Sequence, residues 1–291
     1  MVLNGSFNKL EILHKSKSSS IVKCTIKDSD KIVVLKIYDF LHSRWDIIKI
    51  INEIRISTML HHHNIIKTLS YFEDIDKICI VQEYAHFGDL YYYKKSFEHE
   101  RIPEKIAASQ FIYQLIEAII YMHSKNIIHC DIKPENVLVT NNGTPKLCDF
   151  GLSIDKTMNI NYYMHRGGTL DFMAPELINF KYIYNEKIDV WAMGCLTYEL
   201  IYGDPPFRSV TSKETEYKIV ETVVIFLDNV VLSENCKSFI LSLLQKDYTL
   251  RPSAVDCLKF KYLNLNEEVE IEKDDKTSKC FKLLCPTNNK L

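Results

Sequence analysis

The sequence predicts an α+β fold in which a small, mostly β part precedes a larger, mostly helical part. Up to about residue 84 it carries short runs rich in β-branched and aromatic residues, bounded by polar turns. From about Gly88 the apolar residues recur instead at helical spacing. Its 291 residues, 46% hydrophobic and 25% charged, are enough for one large domain or two closely joined lobes.

Five strands are expected, at Phe7 to Leu13, Ile21 to Ile26, Ile32 to Tyr38, Ile66 to Phe72 and Lys77 to Glu83, with turns such as Asp28-Ser29-Asp30 and Glu73-Asp74 between them. One helix interrupts them, from about Arg44 to Leu60, where Ile47, Ile50/Ile51, Ile54 and Thr58 fall at helical spacing. The clearest later helix begins at Pro103, a residue suited to a helix start, and places Ala108, Ile112, Leu115, Ile116 and Ile119 on one face. Further helices are expected at Glu186 to Tyr202, Lys213 to Val220, Ser233 to Gln245 and Pro252 to Phe260. Between Ile127 and Glu176 lies a long stretch of short strands and polar loop, of the kind that carries function in a compact domain. The division is therefore 1–84, 85–262 and a weakly ordered tail, 263–291.

A net charge of −2 gives no global basic field, so nucleic acid is not expected as the main partner. No apolar run approaches the ~18 residues a membrane helix needs, and Met1-Val2-Leu3-Asn4-Gly5 has neither a basic nor an apolar leader region. The 9 cysteines include no CxxC pair and read as reduced thiols of an intracellular protein, cytoplasmic or nuclear.

Three clusters carry chemistry. His129-Cys130-Asp131-Ile132-Lys133-Pro134-Glu135-Asn136 is followed by Asp149-Phe150-Gly151 and then by Ala174-Pro175-Glu176. Asp131, Asn136 and Asp149 can gather two carboxylates and an amide around one or two Mg²⁺ ions and a phosphate, which is equipment for phosphoryl transfer. With Asp189-Val190-Trp191 and a late Arg251, all in order, the chain resembles the eukaryotic protein kinases over about residues 7 to 262. Gly168-Thr169-Leu170-Asp171, the run from Tyr198 to Phe207 and Ile80-Val81-Gln82-Glu83-Tyr84-Ala85 are most similar to Aurora-type serine/threonine kinases.

The resemblance implies a bilobal fold and transfer of the ATP γ-phosphoryl group to Ser/Thr hydroxyls of protein substrates, with a role in cell division. It assigns the α- and β-phosphates to Lys36 and the pairing carboxylate to Glu53. Asp131 would accept the substrate proton, Lys133 would stabilise the transferring phosphoryl group, and Asn136 and Asp149 would bind Mg²⁺. Leu13, Ile21, Val34 and Leu138 would sandwich the adenine, with backbone groups of Glu83 and Ala85 at the hinge and Gln82 as gatekeeper. Asp189 and the Glu176–Arg251 pair would be scaffold. Asp89, Glu135 and Glu199 would favour substrates with an arginine upstream of the acceptor.

The chain departs from that pattern in two places. His14, Ser16 and Ser19 stand where the phosphate loop has glycines, which leaves two readings open: serine hydroxyls that take over the phosphates, or a hairpin that no longer grips them. The second of these motivates a pseudokinase, a binding or scaffold module, as the alternative function. Cys130 replaces an arginine that clasps activation-segment phosphate, and His165 stands where an Aurora-like kinase has its phosphothreonine. Activity is thus expected without that phosphate, the segment being ordered by its own packing or by an activating protein on the Arg44–Leu60 helix. Thr157, Tyr162 and Tyr163 remain as phosphoacceptors, and Thr169 is expected to touch the catalytic loop. His61-His62-His63 reads as the turn after the helix rather than a metal site, Cys148 as a buried thiol, Trp191 as helix core, and Cys280 and Cys285 as tail.

Overall fold

Along Ile32–Asp39 every second side chain, Val33, Leu35 and Ile37, is buried, and these three pack with Val22, Cys24, Cys79 and Val81 into one apolar layer. The intervening row, Val34, Lys36 and Tyr38, necessarily points to the opposite face. That row faces the cleft, so one strand supplies both the small core and its functional side chains. The computed structural model describes residues 6–39, 44–74, 76–158, 168–178, 185–228 and 230–264, with the side chains of 44–46 also left aside.

The strands are β1 (Phe7–Lys15), β2 (Ser19–Ile26), β3 (Ile32–Asp39), β4 (Thr68–Asp74) and β5 (Lys77–Glu83), in an antiparallel sheet of order β1-β2-β3-β5-β4. Helix α1 (Arg44–Met59) crosses between β3 and β4 as expected, but its buried face follows the isoleucine row only in part, with Ile50 buried and Ile54 half-buried. Ile51 is 56% exposed, whereas Asn52, Glu53, Ile56, Ser57 and Leu60 are buried. A polar helix face is buried only where each group finds a partner, and the partners here belong to the site.

The second lobe begins with α2 (Leu90–Lys94), continues through α3 (Glu104–Ile106), one π turn (Ala107–Ile112) and α4 (Tyr113–Ser124), and holds the short strands β6 (Ile127–Ile128), β7 (Val137–Val139), β8 (Pro145–Leu147) and β9 (Ile154–Asp155). Ala108, Ile112, Leu115, Ile116 and Ile119 are all buried, as their spacing predicts, although the π turn that carries the first two was not anticipated. Helices α5 (Pro175–Ile178), α6 (Lys187–Tyr202), α7 (Ser212–Glu221), α8 (Glu234–Leu243) and α9 (Ala254–Cys257) complete it. The last helix is much shorter than the expected Pro252 to Phe260, and α2 and α5 are additions. Helix α6 is buried all round, which marks it as the central post, and its Trp191 stacks on Phe207, which follows the helix in the chain. No helix among the described residues is long and apolar enough to cross a membrane.

Arg251 is fully buried against the end of α6 and α5. Its guanidinium binds Glu176 through two bonds, Nη1 to Oε1 at 2.9 Å and Nη2 to Oε2 at 3.1 Å, and also donates to the carbonyls of Gln245 and Lys187. Removing the cation strands a buried carboxylate, so Arg251→Met should lower unfolding stability by about 3–5 kcal/mol in urea titration. A loss below ~1 kcal/mol would remove this pair from the scaffold.

Candidate active site

Lys36 and Glu53 meet across the gap between β3 and α1, with Nζ 2.7 Å from Oε1. The ammonium also lies 3.2 Å from Oδ1 of Asp149. Glu53 is only 2% exposed, and its second oxygen accepts the hydroxyl of Tyr38, two residues along the same row of β3. Burial pushes the Glu53 carboxyl above its usual range against the opposing pull of Lys36. Burial also disfavours the Lys36 charge, but Glu53 and Asp149 together hold its pKa well above that of an ordinary lysine. At Asp149 burial is outweighed by Lys36, so that carboxyl sits below its usual range and stays ionised.

Asp131 is fixed from below. On α6, Asp189 accepts the backbone N–H of His129 at 2.9 Å and of Cys130 at 3.0 Å, and lies 2.9 Å from Nε2 of His123. These bonds hold Cys130 at φ 68°, a left-handed conformation that a non-glycine residue adopts only when its surroundings impose it. The Asp131 carboxylate takes the Thr169 N–H (2.9 Å) and hydroxyl (3.0 Å) on Oδ1, and the Asn136 amide and Lys133 ammonium (both 2.8 Å) on Oδ2. Lys133 also donates to Thr169 Oγ1 at 2.6 Å, so Thr169 does bind the catalytic loop. Asn136 spends its N–H₂ on the Asp131 carbonyl and carboxylate, which leaves its amide oxygen as the end suited to a cation.

That oxygen and the Asp149 carboxylate are hard donors on neighbouring segments, tied by the Cys148 N–H on the Asn136 carbonyl at 2.9 Å. The set fits Mg²⁺, which prefers one or two carboxylate or carbonyl oxygens and keeps water on its other positions. Around the cleft, Ile21 and Val34 are half-buried on the Lys36 face and Leu138 is half-buried on β7, while Leu13 lies more exposed in a bulge of β1. Gln82 is buried with its amide near Thr68, and Ala85 is buried at the start of the second lobe. The Glu83 carboxylate turns aside to the Lys67 N–H and Lys146, so only its backbone is left to serve the cleft.

The glycine-free loop is an ordered hairpin. Ser16 Oγ accepts the N–H groups of Ser18 (3.3 Å) and Ser19 (3.0 Å) and bonds the Ser19 hydroxyl, while the Ser16 N–H returns to the Ser19 carbonyl. None of His14, Ser16 and Ser19 has a positive φ, so the strain that glycine would relieve does not arise here. Bulges after Lys9 and Ile12 bend β1 instead. Of the three carboxylates expected to read an upstream arginine, Glu135 is exposed and Asp89 caps α2 through the Tyr92 N–H. Glu199 is buried and bound to the equally buried Lys94, which also donates to the Gly203 carbonyl. Burial raises the Cys148 thiol far above the reactive range, and no cluster of three or more histidine, cysteine or carboxylate side chains that could hold a metal is found among the described residues. His165, Tyr162, Tyr163, Cys280 and Cys285 lie outside the described residues.

Sequence reasoning missed Tyr38, and also the links from Asn52 and Arg55 to residues 153 and 155. The period-2 alternation of β3 puts Tyr38 on the Lys36 face and is the one signal that could have found it; the other partners are far apart in sequence.

Residues 7–263 match the protein kinase domain, and the chain belongs to the protein kinase family. Within that family it is similar to Aurora kinases. The Aurora kinase of Candida glabrata is 36% identical over 252 residues, 86% of this chain and 65% of that protein. Serine/threonine-protein kinase Aurora-2 of Arabidopsis thaliana is 31% identical over 258 residues, 88% and 89% of the two chains. Aurora kinase C of Mus musculus is 42% identical over 167 residues, 57% and 58%. The chain spans 47% of the Eremothecium gossypii relative's length and 65% of the Candida glabrata one's.

Because Ser16 already organises the loop, restoring glycine at 14, 16 and 19 removes bonds and adds chain entropy of about 0.5–1 kcal/mol per position. The triple glycine variant should bind ATP about three- to tenfold more weakly by calorimetry; tighter binding would mean that the hairpin hinders the phosphates.

Proposed function

We propose that this chain is a Mg²⁺-dependent serine/threonine protein kinase that transfers the γ-phosphoryl of ATP to protein hydroxyls, with an Aurora-related role in cell division. The observation that carries the reading is the Asp131 cluster. A carboxylate held by Lys133, Asn136 and Thr169 is aimed, ready to orient a substrate hydroxyl and take its proton. Lys133 sits beside it to stabilise charge on the phosphoryl group in flight, and Lys36, locked by Glu53, holds the phosphates of the nucleotide. Bound Mg²⁺, on Asn136 and Asp149, would neutralise phosphate charge. The ordered hairpin and the joined set of Lys36, Glu53, Asp131, Lys133, Asn136 and Asp149 leave the pseudokinase alternative without support.

We place adenine between Leu13, Ile21 and Val34 above and Leu138 below, with Glu83 and Ala85 backbone groups at the hinge. We keep the division into 1–84 and 85–262 on either side of that cleft, with 263–291 as a tail. Protein substrates with arginine two or three residues before the acceptor fit Glu135 and Asp89; Glu199 contributes less, since Lys94 already balances it. An intracellular location completes the proposal, and an activating protein on α1 would add to a Lys36–Glu53 pair that is already closed.

Asp131→Asn should bind nucleotide within about threefold of wild type yet lose about 10²–10⁴-fold in turnover, because the proton acceptor acts at the chemical step. Chelating Mg²⁺ should abolish transfer in both proteins. Equal phosphate transfer by Asp131→Asn and wild type would reject the enzyme. In a peptide comparison, Glu135→Gln should lower kcat/KM for upstream-arginine substrates about tenfold, one charge-assisted bond being worth on the order of 1.5–3 kcal/mol. Undiminished selectivity would show that the arginine is read elsewhere.

A further inference from the structure

Helix α1 is tied to the start of the activation segment by a chain of polar groups that flank Glu53. Asn52 donates Nδ2 to the Ser153 carbonyl at 2.7 Å, and Arg55 donates Nη1 to Asp155 Oδ2 at 2.7 Å. The second guanidinium nitrogen of Arg55 reaches the Asn52 amide oxygen at 3.3 Å, which joins the two ties into one unit. Asp155 is 4% exposed; its other oxygen takes the N–H and hydroxyl of Thr157. The segment is pinned on its far side too. β9 pairs with β6, the Lys156 N–H binds the Asn126 carbonyl, and Ser153 Oγ binds the carbonyl of His129, two residues before Asp131.

An activating phosphate orders such a segment by offering negative charge to a cation at the catalytic loop. Cys130 offers no cation, but the same kind of tie is already present with the charges drawn from the chain itself. We propose that Asp155 serves as a built-in anion, clasped by Arg55 and seconded by Asn52, that holds α1 in the position where Glu53 meets Lys36 without any phosphate on the segment. The two residues are positioning residues, acting through Glu53, and the proposal rests on the kinase reading. A phosphate on Thr157 would compete with Asp155 for Arg55, not supply a missing link.

The test is a double-mutant cycle on the full chain, with Arg55→Met chosen to keep the aliphatic stem and remove the charge. In phosphatase-treated protein, wild type should keep its turnover within about threefold, while Arg55→Met should lose about 30-fold in kcat/KM with a higher KM for ATP. On a Glu53→Gln background the same substitution should cost less than about threefold, because no pair remains to be positioned. The charge-swapped Arg55→Asp/Asp155→Arg protein should recover most of the loss. Hydrogen exchange should show residues 44–59 and 152–158 losing protection in Arg55→Met while α6 keeps its own. The proposal is overturned by a full loss on top of Glu53→Gln, by unchanged exchange in those two stretches, or by a ~100-fold fall of wild-type turnover after phosphatase treatment. Wild type without turnover before that treatment would count against the kinase reading alone, and the exchange result would still decide the tie.

Discussion

One buried ion pair, Lys36 with Glu53, organises the upper half of this molecule. Neither charge is stable out of water without the other, so the sheet that carries the lysine and the helix that carries the glutamate must keep one relative position. The pair is reinforced on both sides. Tyr38 fills the second oxygen of Glu53 from the strand, and Asp149 draws on Lys36 from below. The Lys36–Asp149 contact thereby couples the small lobe to the segment that carries Asp149.

The lower lobe solves the opposite problem of fixing a loop without regular structure. Asp189, anchored in a helix buried on all sides, takes two consecutive backbone N–H groups and forces Cys130 into a left-handed turn. That turn sets the direction of Asp131, and Lys133, Asn136 and Thr169 then fix its carboxylate. On the proposed kinase reading, rigid helices below and a charge pair above would leave the substrate hydroxyl and the phosphates as the mobile partners, as transfer by positioning requires.

Much of this was legible in the sequence because the relevant signals are local. The ordered motifs, through the kinase resemblance, named Lys36, Glu53, Asp131, Lys133, Asn136 and Asp149. The face of α1 is only partly legible: Ile50 is buried as its spacing implies, but Ile51 is exposed, and Asn52 and Glu53 are buried by partners about 100 residues away or on another strand. For a related reason, residue type alone does not show that Ser16 closes the glycine-free hairpin without positive φ. Glu199 read as a groove carboxylate because Lys94, the cation that satisfies it, lies on a short helix with no clear periodic signature.

The central claim is that the chain closes its own Lys36–Glu53 pair. The most direct measurement is a crystal structure of the dephosphorylated protein without nucleotide or partner. The expected result is a Lys36 Nζ to Glu53 Oε1 separation near the 2.7 Å seen here, with Tyr38 still on the other oxygen. A separation beyond about 6 Å, too long for any hydrogen-bonded pair, with α1 swung away from the sheet, would contradict it.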